Sequence, residues 1–415
     1  MMTSRVFFTG GRVFDGSGSP AVPDDVVVRG DRIEHVGPGA EPAPDDRVVD
    51  CRGATVMPGL VESHCHLTFP SAVGHLDPSF NPPVDVSFFH HLPTPDEHLA
   101  LAERNARILL DHGFTSAYSA GSLTPVPTEV RLRDRIAAGL AAGPRMRAAS
   151  FERDNNPVRM GPDGPTPQET GPDAVRAFIR EQAELGFDSV KLLMSNDDVF
   201  FEGGSMVTQY SAEEANAAGE QARESGVWLN CHAQAPESIK LAVRAGFRSI
   251  YHCSYADPEA IDLLEEHKDS IFLSPAVGIM WANVHEGAEF GIDAEKTGSV
   301  KSLAAMEQLY PELRKRGLRV LPGGDYGFPN NPIGRNARDL DLFVRLFGYS
   351  PAEALRATTF HGGQVMDLPV GLLTEGYLAD VLVVRGDPTS DVTLLQDPAN
   401  LEVIMQGGRF HKAGA

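Results

Sequence analysis

The chain has 415 residues, 42% of them hydrophobic, and a formal net charge of -21. This length suffices for a large catalytic domain and a smaller companion. The acidity disfavours nucleic-acid backbones and anionic membranes as partners, and charge, Gly or Pro interrupts every apolar run before it could span a bilayer.

The opening MMTSRVFFTGGRVFDG has no basic start, apolar stretch and small-residue cleavage site in succession, so a cytoplasmic location is expected. The acidic residues are scattered rather than clustered, which fits solubility and a neutral or cationic small-molecule substrate. The four cysteines, Cys51, Cys65, Cys231 and Cys253, form no CxxC pair. Three of them adjoin histidines, and alternation along a strand turns those thiols away from any site the histidines share. Buried free thiols are therefore expected.

In chain order, residues 6–8 and 12–14 read as short strands around Gly10 and Gly11, a hairpin signal. Residues 26–29 and 32–36 repeat the pattern around Gly30 and Asp31. Near the other end, 379–385 reads as a strand, and 403–405 with 409–411 flank Gly407 and Gly408. Each terminal region is too short to hold a core alone, so a shared small β-sandwich is expected from 1–57 and 368–415. Between them, 58–367 alternates β-rich runs with helical stretches. VMPGLVESHCH is followed by a helix over 97–111, FTSAYSAG by 130–141, RMRAASF by 174–185 and SVKLLMS by 212–224. VWLNCHA is followed by 238–245, SIYHCS by 258–268, and IFLSPAV by 303–316 before RVLPGGD. Eight such units predict an α/β fold, the (β/α)8 TIM barrel. No Gly-rich phosphate loop follows the first strand, which disfavours a doubly wound open sheet. The long loop 68–94 and the loop 151–165 are candidates for the substrate wall.

Chemistry concentrates at the strand ends. His64 and His66 occupy positions i and i+2 of one strand, so both imidazoles face one interior point. Lys191 begins an apolar run, where a charged ammonium loses hydration and the neutral amine is favoured. A neutral amine can add carbon dioxide to give a carbamate, an anionic oxygen ligand able to bridge two metals. His232 and His252 close strands five and six, and Asp325 closes the eighth after Pro322, Gly323 and Gly324. All lie at the carboxyl ends, the active-site face of such a barrel. Nitrogen and oxygen donors without thiolates suit two divalent ions, Zn2+ first, with Mn2+, Co2+ or Ni2+ compatible.

With these residues in place, the sequence resembles the amidohydrolase superfamily over nearly its whole length. MPGLVESHCH, GFDSVKLLMS, LNCHAQAPESIKLAVRAGFRSIYHCSY, LPGGDYG and GYLADVLVVRGDP carry the likeness. Within the superfamily it is most similar to the metal-dependent Xaa-Pro dipeptidases (prolidase-like) and the related imidazolonepropionases. The resemblance implies His64 and His66 as ligands of the first metal and Lys191 as a carboxylated bridge. It implies His232 and His252 as ligands of the second metal, and Asp325 as both ligand and proton shuttle. It further implies that a bridging hydroxide cleaves an amide-type C-N bond of a dipeptide, N-acyl amino acid, aryl amide or carbamate. A homo-oligomer is also expected.

The segments AYSAGS, FERDNNP and NPPVDVSFFHH depart from the family pattern and leave prolidase specificity open. His91, Arg153, Asn196, Tyr210 and His285 are candidate substrate residues, with Arg153 suited to a carboxylate through its fork of donors. Deaminase, esterase and decarboxylase chemistry on the same barrel are alternatives, and a non-catalytic structural homologue is the reading from a different class. The bridging lysine that the resemblance implies argues against a deaminase, and the full donor set argues against a structural role.

Overall fold

The computed structural model describes residues 5–76, 94–122, 124–161 and 164–413. Seven parallel strands succeed one another along the chain: β1 (Leu60–Cys65), β2 (Phe114–Ser119), β3 (Arg145–Arg147), β4 (Ser189–Leu193), β5 (Trp228–Ala233), β6 (Ser249–His252) and β7 (Phe272–Ser274). They form two sheets, β1-β2-β3 and β4-β5-β6-β7. Single parallel bridges extend this order. Ala149 pairs with Ser189, Leu273 with Val320, and Cys65 with Tyr326.

Helices connect successive strands. They are α1 (Pro95–Asp111), α2 (Thr128–Ala137), α3 (Pro172–Glu184), α4 (Ala212–Ser225), α5 (Pro236–Ala245), α6 (Pro258–Glu266), α7 (Val277–His285) and α8 (Ser299–Lys315). Helix α3 shows why such segments settle against the strands: Val175, Phe178, Ile179 and Gln182 recur at helical spacing and form its buried stripe. Helix α4 starts at a capping box between Ser211 and Glu214, and α5 stops at Gly246, whose φ of 84° suits glycine. Among the described residues no helix is long and apolar enough to cross a membrane.

The terminal segments build two further sheets. One has four strands in the order Arg32–Val36, Val26–Arg29, Arg5–Thr9 and Arg47–Asp50. The other runs Arg409–Lys412, Leu401–Gln406, Val381–Arg385, Ala54–Pro58, Arg12–Val13 and Val22–Pro23. A buried cluster including Phe8, Val28, Ile33, Val56, Val383 and Met405 draws on both sheets.

Three expectations need correction. Gly10 and Gly11 do not close a hairpin: Arg5–Thr9 and Arg12–Val13 lie in different sheets. The chain crosses between sheets there, and a Cβ at Gly11 would stand 2.6 Å from the Cys51 carbonyl oxygen, so this glycine serves close approach. RVLPGGD is not a regular strand. Pro322 lacks a donor, and a Cβ at Gly323 would come within 2.4 Å of Ser63 Oγ. RMRAASF is regular only over Arg145–Arg147 and continues through isolated bridges. The hairpins at Gly30-Asp31 and Gly407-Gly408 form as expected. All four cysteines are buried and free.

Candidate metal centre

His64 lies on β1 and His66 just beyond it, so the pleat sends both rings to the same side. Asp325 arrives from the segment after Val320, its amide donating to the His64 carbonyl at 3.0 Å. Its carboxylate Oδ1 stands 2.9 Å from His66 Nε2 and 3.6 Å from His64 Nε2. The three side chains can offer donor atoms all within 4.8 Å of one another. The His66 Nδ1 lies 2.8 Å from the Gly121 carbonyl oxygen, a contact that makes Nδ1 the donor and leaves the Nε2 lone pair facing Asp325. Such facing of a lone pair and a carboxylate oxygen is favourable when a cation sits between them.

His252 and His232 stand beside this trio. The His252 ring centroid is 5.4 Å from that of His64 and 4.2 Å from that of His232. Lys191 on β4 is 2% exposed, donates from Nζ to the Ala120 carbonyl at 3.0 Å and lies 4.5 Å from the centre of the Tyr251 ring. Among the described residues no carboxylate pairs with it. Burial, with Lys191 nearby, holds His64 and His252 well below the ordinary histidine range and brings His232 to about 4, so these rings keep their lone pairs at neutral pH. Burial also pulls His66 down, but the Asp325 and Glu152 carboxylates outweigh it and raise His66. Among the described residues, the buried Nδ1 atoms of His64 and His252 have no hydrogen-bond partner. Imidazole nitrogens without partners, a convergent carboxylate and no thiolate make a donor set that fits a divalent ion.

Two of these residues hold an unusual backbone. His252 has φ of 70° and Asp325 of 61°, in the left-handed region that non-glycine residues avoid. The turn at Asp325 is clamped by Asn331, whose Nδ2 donates to the Gly324 and Asp325 carbonyls at 2.8 and 2.9 Å. Beneath it, Asp339 accepts from Tyr326 Oη at 2.6 Å and from the Gly323 amide at 3.0 Å, and burial raises it to about 6. Glu62 accepts from the His64 amide at 2.8 Å and from Asn336 Nδ2 at 2.7 Å, and burial raises it to about 8.

The donors open onto a cavity of about 280 Å3. Its wall includes Phe69, Glu152, Asn196, Asp197, Met280 and Phe328. Asp197 stands 3.5 Å from His232 Nε2, and burial raises it to about 7. Of the candidate substrate residues, Asn196 lines this cavity. Arg153, Tyr210 and His285 do not: Arg153 Nη2 donates to the Glu169 carbonyl, Tyr210 Oη donates to the Arg153 carbonyl, and His285 packs on Trp281. His91 lies outside the described residues. Sequence reasoning missed Glu62, Asp197, Asn331 and Asp339. Glu62, two residues before His64 on an apolar strand, carried a usable signal, since a lone acid there needs partners. The others sit in loops or on a helix with no pattern to mark them.

A profile of the amidohydrolase family matches residues 55–410, and the chain belongs to that family. Its fold is accordingly α/β of the TIM-barrel kind. An ochratoxinase of Aspergillus niger is 28% identical over 261 residues, 60% of this chain and 51% of that protein, so the match spans about half the relative's length. An imidazolonepropionase of Rubrobacter xylanophilus is 28% identical over 87% of this chain and 84% of its own. Among solved structures, a Xaa-Pro dipeptidase superposes with a TM-score of 0.84 at 23% identity, covering 99% of this chain and 100% of that one.

Proposed function

We propose that this chain is a binuclear metal-dependent hydrolase that cleaves an amide-type C-N bond in a dipeptide, N-acyl amino acid, aryl amide or carbamate. The observation that carries the reading is the convergence of His64, His66 and Asp325 in one cavity, with His232, His252 and the buried Lys191 beside them. His64, His66, Asp325 and a carboxylated Lys191 would hold one ion. The same Lys191, His232 and His252 would hold the other, with Zn2+ expected and Mn2+, Co2+ or Ni2+ compatible. The ions, when bound, supply Lewis acidity toward the substrate carbonyl and an acidified water.

The protein's own contribution is positional and protic. Asp325 takes the proton of the attacking water and passes it to the leaving nitrogen. Asn331 and the Asp339 network hold the turn that aims Asp325. Gly121 fixes the His66 ring, and Phe69 and Phe328 keep bulk water from the reacting atoms. In this reading residues 58–367 close into a (β/α)8 barrel, which the bridges from Ala149, Leu273 and Cys65 support. Residues 1–57 and 368–415 form a composite β-sandwich, supported by their common apolar cluster. The protein acts as a homo-oligomer in the cytoplasm.

Elemental analysis with an activity screen tests this. Metal-loaded protein should contain two ions per chain and hydrolyse at least one of the four substrate types. Lys191→Ala should lose both properties together; a variant that keeps two ions and full activity removes the lysine bridge.

A further inference from the structure

We infer that the cavity selects uncharged, apolar amides or carbamates and rejects substrates with a carboxylate next to the scissile bond. The inference rests on the hydrolytic reading above and names the substrate class of that same site.

The charge of the cavity wall carries the argument. Lys191 is the one Lys or Arg among the described residues that line it, and in the hydrolytic reading its side-chain nitrogen carries the bridging carboxylate, so it offers no free cation. Glu152, Asp197 and Asp325 supply acidic groups instead. Away from the ions that the hydrolytic reading places on the histidines and Asp325, a carboxylate brought from water into this enclosure would lose hydration and meet no guanidinium fork among the described residues to replace it. The nearby arginines are used elsewhere. Arg153 sits 5.0 Å over the Phe178 ring and donates to the Glu169 carbonyl. Arg338 pairs with Glu286 at 3.1 Å and lies 4.9 Å over the Trp281 ring. Both positions are outside the cavity wall. Residues 77–93 contain neither Lys nor Arg.

Beside the neutral amides of Asn196, Gln209, Asn283 and Asn330, much of the wall is apolar. Phe69, Phe290 and Phe328 line it with Ile279 and Met280. At the mouth, Val199 and Phe200 line the cavity while remaining 42% and 50% exposed. Phe201, Met206 and Val207 carry the exposed apolar surface further along the same loop, at 49%, 46% and 44%. Apolar side chains held in water at a cavity entrance gain by covering an apolar ligand.

The test compares N-benzoyl-L-phenylalanine with N-benzoyl-2-phenylethylamine, which has the same skeleton without the carboxylate. Calorimetry on the full-length, metal-loaded enzyme reads affinity, and amine release reads turnover. The neutral amide should bind at least about tenfold more tightly. A smaller difference, a preference for the acid, or no binding of either compound overturns the inference. Tighter binding of the neutral amide without cleavage upholds the specificity and counts against the hydrolytic reading, so the two can fail separately.

Discussion

His66 and Asp325 meet at 2.9 Å because the chain delivers them from segments far apart in sequence, and each is aimed by a neighbour that does no chemistry. Glu129 on α2 is a buried acid whose charge is felt by His66. It is fully buried, receives Thr68 Oγ1 at 3.4 Å, and is raised to about 7, chiefly by burial. Its folded value lies above the ordinary 4.5, so the folded chain retains a proton that the unfolded chain releases. The associated stability is present below about pH 4.5 and lost as pH rises through about 7. In urea titrations of metal-depleted protein, Glu129→Gln should flatten the fall of unfolding free energy across that window, by at most about 1.4 kcal/mol per pH unit. An unchanged slope would assign the pH dependence to other groups. The donor residues were legible in the sequence because they stand at strand ends in an alternating pattern. Glu129 and Asn331 were not, because their partners Thr68 and Asp325 are brought near only by the fold. Arg153 misled for the same reason: its fork of donors is visible in sequence, but its burial against Phe178 is not.

Helix boundaries followed capping chemistry closely. Helix α4 was expected over 212–224 and spans Ala212–Ser225, since Ser211 and Glu214 mark its start and Gly226 its end. Glu214 also accepts from Asn155 Nδ2 at 2.9 Å and from the Gly171 amide at 2.8 Å, so this cap fastens the loop after β3 and the start of α3. Ser211→Ala should cost about 1 kcal/mol in chemical denaturation. Glu214→Ala should cost more, about 2 kcal/mol, because three elements lose a charged acceptor; equal costs would mean that the loop contacts contribute nothing. Strands were harder to read than helices. RVLPGGD has the apolar start of a strand, but Pro322 and two glycines squeeze past Ser63 and Asp339 and break its ladder. The pair Gly10-Gly11 matches a hairpin turn by composition, and only the crowding by Cys51 and Ala54 shows that it is a crossing between sheets.

Across the whole molecule, the terminal sheets are tied to the parallel strands by polar contacts as well as packing. Arg145 on β3 reaches Asp380 at 2.6 Å, and the Asp380 side chain is only 1% exposed while also accepting from the Gly407 amide at 2.7 Å. Gln406 donates to the Thr115 and Gly143 carbonyls. Arg145→Ala should destabilise the protein by about 3 kcal/mol by stranding a buried carboxylate. The double variant Arg145→Ala, Asp380→Asn should recover much of that loss in thermal unfolding; no recovery would assign the loss to packing. The strand Ala54–Pro58 leads directly toward β1 and His64, and it lies between Arg12–Val13 and Val381–Arg385. During synthesis the first of these partners leaves the ribosome early and the second only after every parallel strand has emerged. A nascent chain therefore carries an open, apolar sheet edge through most of its translation. A stalled or prematurely terminated product would expose that edge permanently, making it a target for chaperones and for aggregation.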